Sequence, residues 1–166
     1  GVKLNGQWIW WNAGTPAAQA GEAIVVRKTF ELSAVPDSAV AAVSADNGYT
    51  LFVNGKKVQT GANWEKPDSV ALSGHLKKGA NDILIIVTNG GSGPNPAAVF
   101  FEARIKTGKQ PELIIASDTS WEWSKTLPNA KGAFGKQAPE WKPAVVMKGW
   151  DSVTDELKTA LLVSDA

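Results

Sequence analysis

The sequence predicts an all-β domain, an antiparallel β-sandwich, and three observations carry that expectation. Short runs rich in β-branched and aromatic residues follow one another closely. Asn-Gly pairs and glycine- or proline-rich stretches separate them, with 16 glycines and 9 prolines in the chain. Strands do not alternate with long amphipathic helices, as βαβ units would require. At 166 residues the chain has the length of one ordinary domain, and its 43% hydrophobic and 20% charged content lies in the globular range.

The elements follow in order. Ile24 to Leu32 (IVVRKTFEL) alternates in part between Gly21 and Pro36 and reads as a strand. In the next run Val40, Ala42 and Ser44 share one face and Ala41, Val43 and Ala45 the other. It meets Asp46-Asn47-Gly48 and resumes as Tyr49 to Val53, so a hairpin is expected there. Asn54-Gly55 repeats the signal before Lys56 to Thr60, and two such turns in succession make a meander. A short strand at Ser69 to Leu72 and a polar turn over Ser73 to Gly79 come next. They lead into Asp82 to Thr88 (DILIIVT), apolar enough to be buried on both faces. The stretch from Asn89 to Pro96 can only be a loop, because its glycines and prolines deny regular pairing. Strands resume at Ala97 to Ile105 and Glu112 to Ser117. Val153 to Leu162 places Val153, Leu157, Ala160 and Leu161 on one helical face, with Asp151 or Ser152 as the cap. The division is a sandwich over residues 1–150 and a helical tail or linker over 151–166.

Composition excludes several functions. Seventeen basic against 16 acidic residues leave a formal charge of +1, too little for a nucleic-acid or anionic-lipid field. The most aliphatic run, Ile83 to Val87, falls far short of the roughly 18 to 20 residues that cross a bilayer. With no cysteine there is no disulfide, thiolate nucleophile or cysteine-ligated metal. A catalytic triad would have to centre on His75, the sole histidine, which lies in a turn and reads as a loop residue. Gly90-Gly91-Ser92-Gly93 lacks the spacing and the Lys-Ser/Thr of a phosphate loop. Glu102, Glu112 and Asp118 read as strand-face or strand-end charges.

The order of landmarks carries a resemblance. Trp8-Ile9-Trp10 precedes Arg27-Lys28-Thr29-Phe30-Glu31-Leu32, then Ser44-Ala45-Asp46-Asn47-Gly48-Tyr49-Thr50-Leu51-Phe52-Val53-Asn54-Gly55. Trp64, Leu76-Lys77-Lys78-Gly79-Ala80-Asn81, Val87-Thr88-Asn89 and Ser117-Asp118-Thr119-Ser120-Trp121 complete it. From about Trp8 to Trp150 the chain resembles the galactose-binding-like jelly roll that accompanies catalytic domains in bacterial α-L-rhamnosidases and family 2 glycoside hydrolases. The resemblance implies a noncatalytic sandwich, carbohydrate as ligand class, and a place in a larger secreted or periplasmic glycan-processing protein. Its partners would be a carbohydrate or a neighbouring domain of the same polypeptide. Some members use calcium; no cofactor is assigned here, because Asp46, Asn47 and nearby carbonyls do not evidently supply the roughly six to eight oxygens it takes.

The candidate ligand-binding residues are Asp46, Asn47, Trp64, Asn89 and Asn95. A carboxylate and an amide side by side suit vicinal hydroxyls, which present donor and acceptor together. The same Asp46 and Asn47 also read as ordinary turn residues. Eight tryptophans need places. Trp8 and Trp10 share a face and default to core, Trp11 points the other way, and the resemblance puts Trp121 in the base of the sandwich. Trp64 lies in a polar loop and is either a stacking platform or that loop's own anchor. Burying about 100 Å² on it at about 25 cal/mol/Å² is worth about 2.5 kcal/mol, below the roughly 4.1 kcal/mol of a millimolar complex. Polar partners must therefore add the rest, and the amides at 89 and 95 enter for that reason. The alternative is a structural or protein-interaction sandwich with no sugar ligand.

Overall fold

The computed structural model describes residues 2–163 as two stacked antiparallel sheets closed by one helix. The strands are β1 (Ile9–Trp10), β2 (Ala23–Leu32), β3 (Ser38–Asp46), β4 (Gly48–Val53), β5 (Lys56–Gly61) and β6 (Asp68–Ala71). They continue as β7 (Gly79–Thr88), β8 (Ala98–Lys106), β9 (Leu113–Ala116), β10 (Glu122–Ser124), β11 (Lys142–Pro143) and β12 (Val145–Val146), followed by α1 (Thr154–Leu161). One sheet runs β12-β1-β8-β3-β6, with β9 also on β8; the other runs β11-β10-β2-β7-β4-β5. Gly1 and residues 164–166, part of the expected tail, lie outside the described residues.

Two long pairings set the frame. β2 and β7 match over ten residues, from Ala23 opposite Thr88 to Leu32 opposite Gly79. β3 and β8 match over nine, from Ser38 opposite Lys106 to Asp46 opposite Ala98. Alternation then sends Ile24 and Val26, Ile83, Ile85 and Val87, and Leu51 and Val53 inward against Ala41, Val43, Ala45, Val99, Phe101 and Ala103. Trp121, wholly buried, packs on Phe101 at 5.3 Å between ring centroids, and its indole N–H donates to Ala116 O at 2.9 Å. This is the base position the resemblance implied.

Three local expectations change. Asp46-Asn47-Gly48 does not close a hairpin, because β3 pairs with β6 and β8 while β4 pairs with β5 and β7, so the chain crosses between sheets there. The reason lies in β3 itself: Ala41 to Ala45 are buried on both faces, which suits an interior strand of the helix-covered sheet rather than the partner of β4. Asn54-Gly55, with φ of 50° and 80°, is a true two-residue hairpin turn joining β4 to β5. Second, α1, in the span expected as a helical tail or linker, packs on the sandwich. Leu157, Ala160 and Leu161 join the main core, the helix packs on β3 and β6, and Ser69 Oγ donates to Ala160 O at 2.6 Å. Third, the residue at the cap position of α1 is Val153, with no side-chain cap bond; neither Asp151 nor Ser152 is the cap, and the Asp151 carbonyl accepts from the Thr154 hydroxyl.

The outer faces are covered too. On the second sheet Val25, Phe52 and Leu84 form a small cluster under Phe134 and Trp141, carried by the segment between β10 and β11. Gly132 makes the approach possible, since a Cβ there would sit 2.7 Å from the Phe52 ring. The Arg27 guanidinium lies 4.1 Å from the Trp141 ring centroid and pairs with Glu122 at 2.7 Å. On the first sheet Glu102, expected as a strand-face or strand-end charge, lies on the face of β8 and is fully buried. Its Oε1 accepts from the backbone N–H of Asn5 (2.7 Å) and Gly6 (2.6 Å), and its Oε2 accepts from Arg104. Arg104 in turn donates to Lys3 O, so one ion pair pins the N-terminal segment across β8.

Removing Glu102 strands those donors and the Arg104 charge. Glu102→Ala is expected to cost about 3 kcal/mol in urea unfolding and to expose residues 3–7 to proteolysis. A loss under about 1 kcal/mol would contradict the latch.

Candidate functional site

The strand directions gather four connections at one end of the sandwich. β2 starts there at Ala23, β3 ends at Asp46, β4 starts at Gly48, β7 ends at Thr88 and β8 starts at Ala98. The loops over residues 11–22, 46–48, 62–67 and 89–97 therefore share that end, and all five residues singled out from sequence lie in or beside them. The opposite end holds the Asn54-Gly55 turn and the turn over residues 73–78, including His75.

Asp46 and Asn47 make the step between sheets through a cis peptide bond. Asn47 N–H donates to Thr88 O at 3.1 Å, and its Oδ1 accepts from Gly90 N–H at 2.7 Å. A Cβ on Gly90 would stand 3.1 Å from that oxygen, so glycine lets the two loops touch. Asn95 forms an isolated antiparallel bridge with Ala18, its N–H donating to Ala18 O at 3.0 Å. Its side-chain N–H groups reach Gly93 O at 3.1 Å and, more weakly, Gly90 O at 3.4 Å. Asn47 and Asn95 are half-buried and meet at Gly90.

Asn89 is different. It is fully buried, and its amide donates to Ala18 O (3.0 Å) and Gln19 O (2.8 Å), which turns its side chain away from solvent. Trp64 is half-buried, and its carbonyl accepts from Ser44 Oγ at 2.9 Å. That bond ties the 62–67 loop to β3 two residues before Asp46. Below the loop, Tyr49 Oη donates to Asp68 Oδ2 at 2.5 Å, joining β4 of one sheet to β6 of the other. Gly61 leaves room for the Tyr49 ring, which would stand 2.4 Å from a Cβ. Burial first, then the Asp68 carboxylate, raise the Tyr49 hydroxyl pKa, so it remains a donor.

The carboxyl of Asp46 is half-buried, and burial raises its pKa from the ordinary 3.8. No hydrogen bond to that carboxylate occurs among the described residues, and no group of three or more His, Cys, Asp or Glu gathers there or elsewhere among them. A calcium ion would thus take only a minority of its roughly six to eight oxygens from Asp46 and the amides, with loop carbonyls and water supplying the others.

One aromatic at this end was not among the sequence candidates. Trp11 donates its indole N–H to Glu22 Oε2 at 2.6 Å, packs on Trp123 at 5.7 Å, and has Lys125 Nζ 4.9 Å from its ring centroid. Its signal was visible in principle, since Trp11 falls off the face shared by Trp8 and Trp10.

Comparison with known proteins bears on this arrangement. No protein-family profile matches the chain. An α-L-rhamnosidase of Streptomyces avermitilis is 29% identical over 155 residues, covering 86% of this chain and 14% of the relative. The crystal structure of the S. avermitilis enzyme complexed with L-rhamnose superposes with a TM-score of 0.73 at 27% identity, over 87% of this chain and 15% of that one. The fold is a galactose-binding-like β-sandwich. The lectin of Pleurotus ostreatus shares it, with a TM-score of 0.69 at 28% identity in its apo form, over 86% of this chain and 41% of the lectin. The same lectin in complex with GalNAc gives 0.70 at 20% identity, over 86% of this chain and 43% of that one. The chain spans about one seventh of the rhamnosidase's length.

The raised Asp46 pKa has a direction in stability. Folding disfavours the charged carboxylate, so the penalty is absent below the unfolded value of 3.8 and grows as pH rises through the higher folded value. Asp46→Asn is expected to melt higher than the parent at pH 7, with the gap closing toward pH 4 in thermal scans. A lower melting temperature at pH 7 would contradict an uncompensated carboxylate.

Proposed function

We propose that the chain is a noncatalytic carbohydrate-binding module, with its ligand site on the loop end built by Asp46, Asn47, Trp64 and Asn95. The observation that supports this reading is that the amides of Asn47 and Asn95 meet at Gly90, next to the step between sheets that carries Asp46. The Asp46 carboxylate accepts from sugar hydroxyls, while the free amide groups of Asn47 and Asn95 donate and accept. Such a set reads a pair of neighbouring hydroxyls, and it offers no nucleophile or proton shuttle. Trp64 supplies stacking area beside it.

The reading extends to context. The chain is one module of a larger glycan-processing protein, exported to the periplasm or the medium, where polysaccharide is met. No described helix is long and apolar enough to cross a membrane. The similarity to part of a rhamnosidase and part of a lectin supports a sugar as ligand class.

A second reading, a structural module that docks a neighbouring domain, has one observation in its favour. Leu162 and Val163 are 70% and 52% exposed beside a groove of about 920 Å³ that Val2, Asp37, Arg104 and Glu112 also line.

Calorimetric titration with L-rhamnose, N-acetylgalactosamine and a panel of plant, algal and host polysaccharides tests the first reading. Saturable binding of at least one is expected, at millimolar or tighter dissociation constants. Asp46→Ala should abolish it, and Trp64→Ala, which forfeits the stacking worth about 2.5 kcal/mol, should weaken it by about sixtyfold without lowering the melting temperature. Each titration is run in calcium and again in chelator, so that an ion completing the site registers as a loss in the second. Silence across the panel in both buffers would refute sugar binding and leave the docking module.

A further inference from the structure

We infer that Asn89 is a positioning residue for the sugar site, holding Asn47 and Asn95 in register from beneath without touching ligand. The inference rests on the reading of the loop end as a carbohydrate site.

Asn89 is the first residue after β7, and it is fully buried. Its backbone continues the strand pairing for one more step: Asn89 N–H donates to Glu22 O and Gly21 N–H to Asn89 O, each at 2.8 Å. Its side chain then turns to the neighbouring loop and donates to Ala18 O and Gln19 O. Ala18 O is a shared point, because it also accepts the backbone N–H of Asn95 at 3.0 Å. Asn89 therefore clamps the carbonyl on which the far end of the 89–97 loop is hung.

The near end is fixed by adjacency. Gly90 follows Asn89 directly, and its N–H is the donor that orients the Asn47 side chain at 2.7 Å. Both amides of the site are thus set through Asn89, one across Ala18 O and one through the next peptide. The segment it clamps is itself a bonded unit, since Glu22 accepts from Trp11 Nε1 and, at 3.2 Å, from Gln19 N–H. Alanine at position 89 would remove the side-chain donor from Ala18 O and Gln19 O, leaving them only the backbone N–H of Asn95 (3.0 Å) and of Glu22 (3.1 Å), and would loosen the tie between the two loops. Asn89→Asp keeps the shape but sets an acceptor against two carbonyls, with the same result.

A matched control exists at the other end. Asn81 is also a buried amide that donates to two loop carbonyls, Lys77 O (2.8 Å) and Gly79 O (3.1 Å), and in addition it accepts from Lys77 N–H (3.0 Å) and Asn54 Nδ2 (2.9 Å). It braces the turn before β7, far from the sugar loops along the strand. A purely structural role would make the two positions equivalent.

The test compares Asn89→Ala, Asn89→Asp and Asn81→Ala by thermal unfolding, sugar titration with the best panel ligand, and amide hydrogen exchange at Gly90. Asn89→Ala and Asn89→Asp are expected to weaken the sugar by about tenfold or more and to speed Gly90 exchange by a similar factor. Asn81→Ala should lower the melting temperature comparably and leave both other readouts within about twofold of the parent. If Asn89→Ala does not fold, Asn89→Asp supplies the same readouts. Unchanged Gly90 exchange in the Asn89 variants, or an equal loss of sugar affinity in Asn81→Ala, would overturn the inference. A parent that binds no sugar, with Gly90 exchange still accelerated in Asn89→Ala, would refute the sugar site while leaving the clamp in place.

Discussion

The ten-residue pairing of β2 with β7 is the constraint on which the rest depends. It places Ala23 and Thr88 opposite one another at one end, so the segments that enter β2 and leave β7 are side by side before any side chain acts. Those segments are the 11–22 and 89–97 loops. The parallel constraint in the other sheet, β3 on β8, brings Asp46 opposite Ala98 at the same end. A one-residue shift of the β2–β7 ladder would reverse the faces of Ile83, Ile85 and Val87, one of the β3–β8 ladder those of Val99, Phe101 and Ala103, and either would separate the loops that meet at Gly90.

Buried amides finish what the ladders begin. Asn89 works at the loop end, and Asn54 with Asn81 at the other, where Asn54 Nδ2 donates to His75 O and to Asn81 Oδ1 and Asn54 Oδ1 accepts from Asp82 N–H. Asparagine suits the task because its two N–H groups reach loop carbonyls; Asn54 and Asn81 accept as well, while Asn89 Oδ1 is buried without a partner among the described residues. The Asp46 carboxylate breaks this pattern: it is half-buried and carries no such compensation among the described residues. A polar group kept at a cost to folding, at the meeting point of four loops, is what a ligand site requires of its scaffold.

Most of the strands were legible because β-branched runs and turn residues mark them locally. Ile24 to Leu32, Lys56 to Thr60 and Ala97 to Ile105 each lie within a residue or so of the observed β2, β5 and β8. What was not legible depends on distant partners. Asp46-Asn47-Gly48 has the composition of a hairpin turn, and only the pairing of β3 with β8, across more than fifty residues of chain, makes it a step between sheets. Glu102 was legible as a strand charge but its burial was not, because the segment that buries it lies some 96 residues earlier. The cover of Phe134 and Trp141 over Phe52 escaped for the same reason, as their region carries no strand period. At the loop end, the residue types were readable and their division of labour was not: Asn89 and Asn95 look alike in sequence, while one is interior and the other half-buried.

The central claim is that the working surface is the loop end and not an outer sheet face. Backbone amide chemical shifts recorded during titration with a bound monosaccharide test it most directly. The account predicts perturbations concentrated at residues 46–48, 62–67 and 89–96, with the Asn54-Gly55 end and the Phe134–Trp141 cover unmoved. Shifts centred on Trp141, Phe134 and Arg27, with residues 46–48 silent, would contradict it.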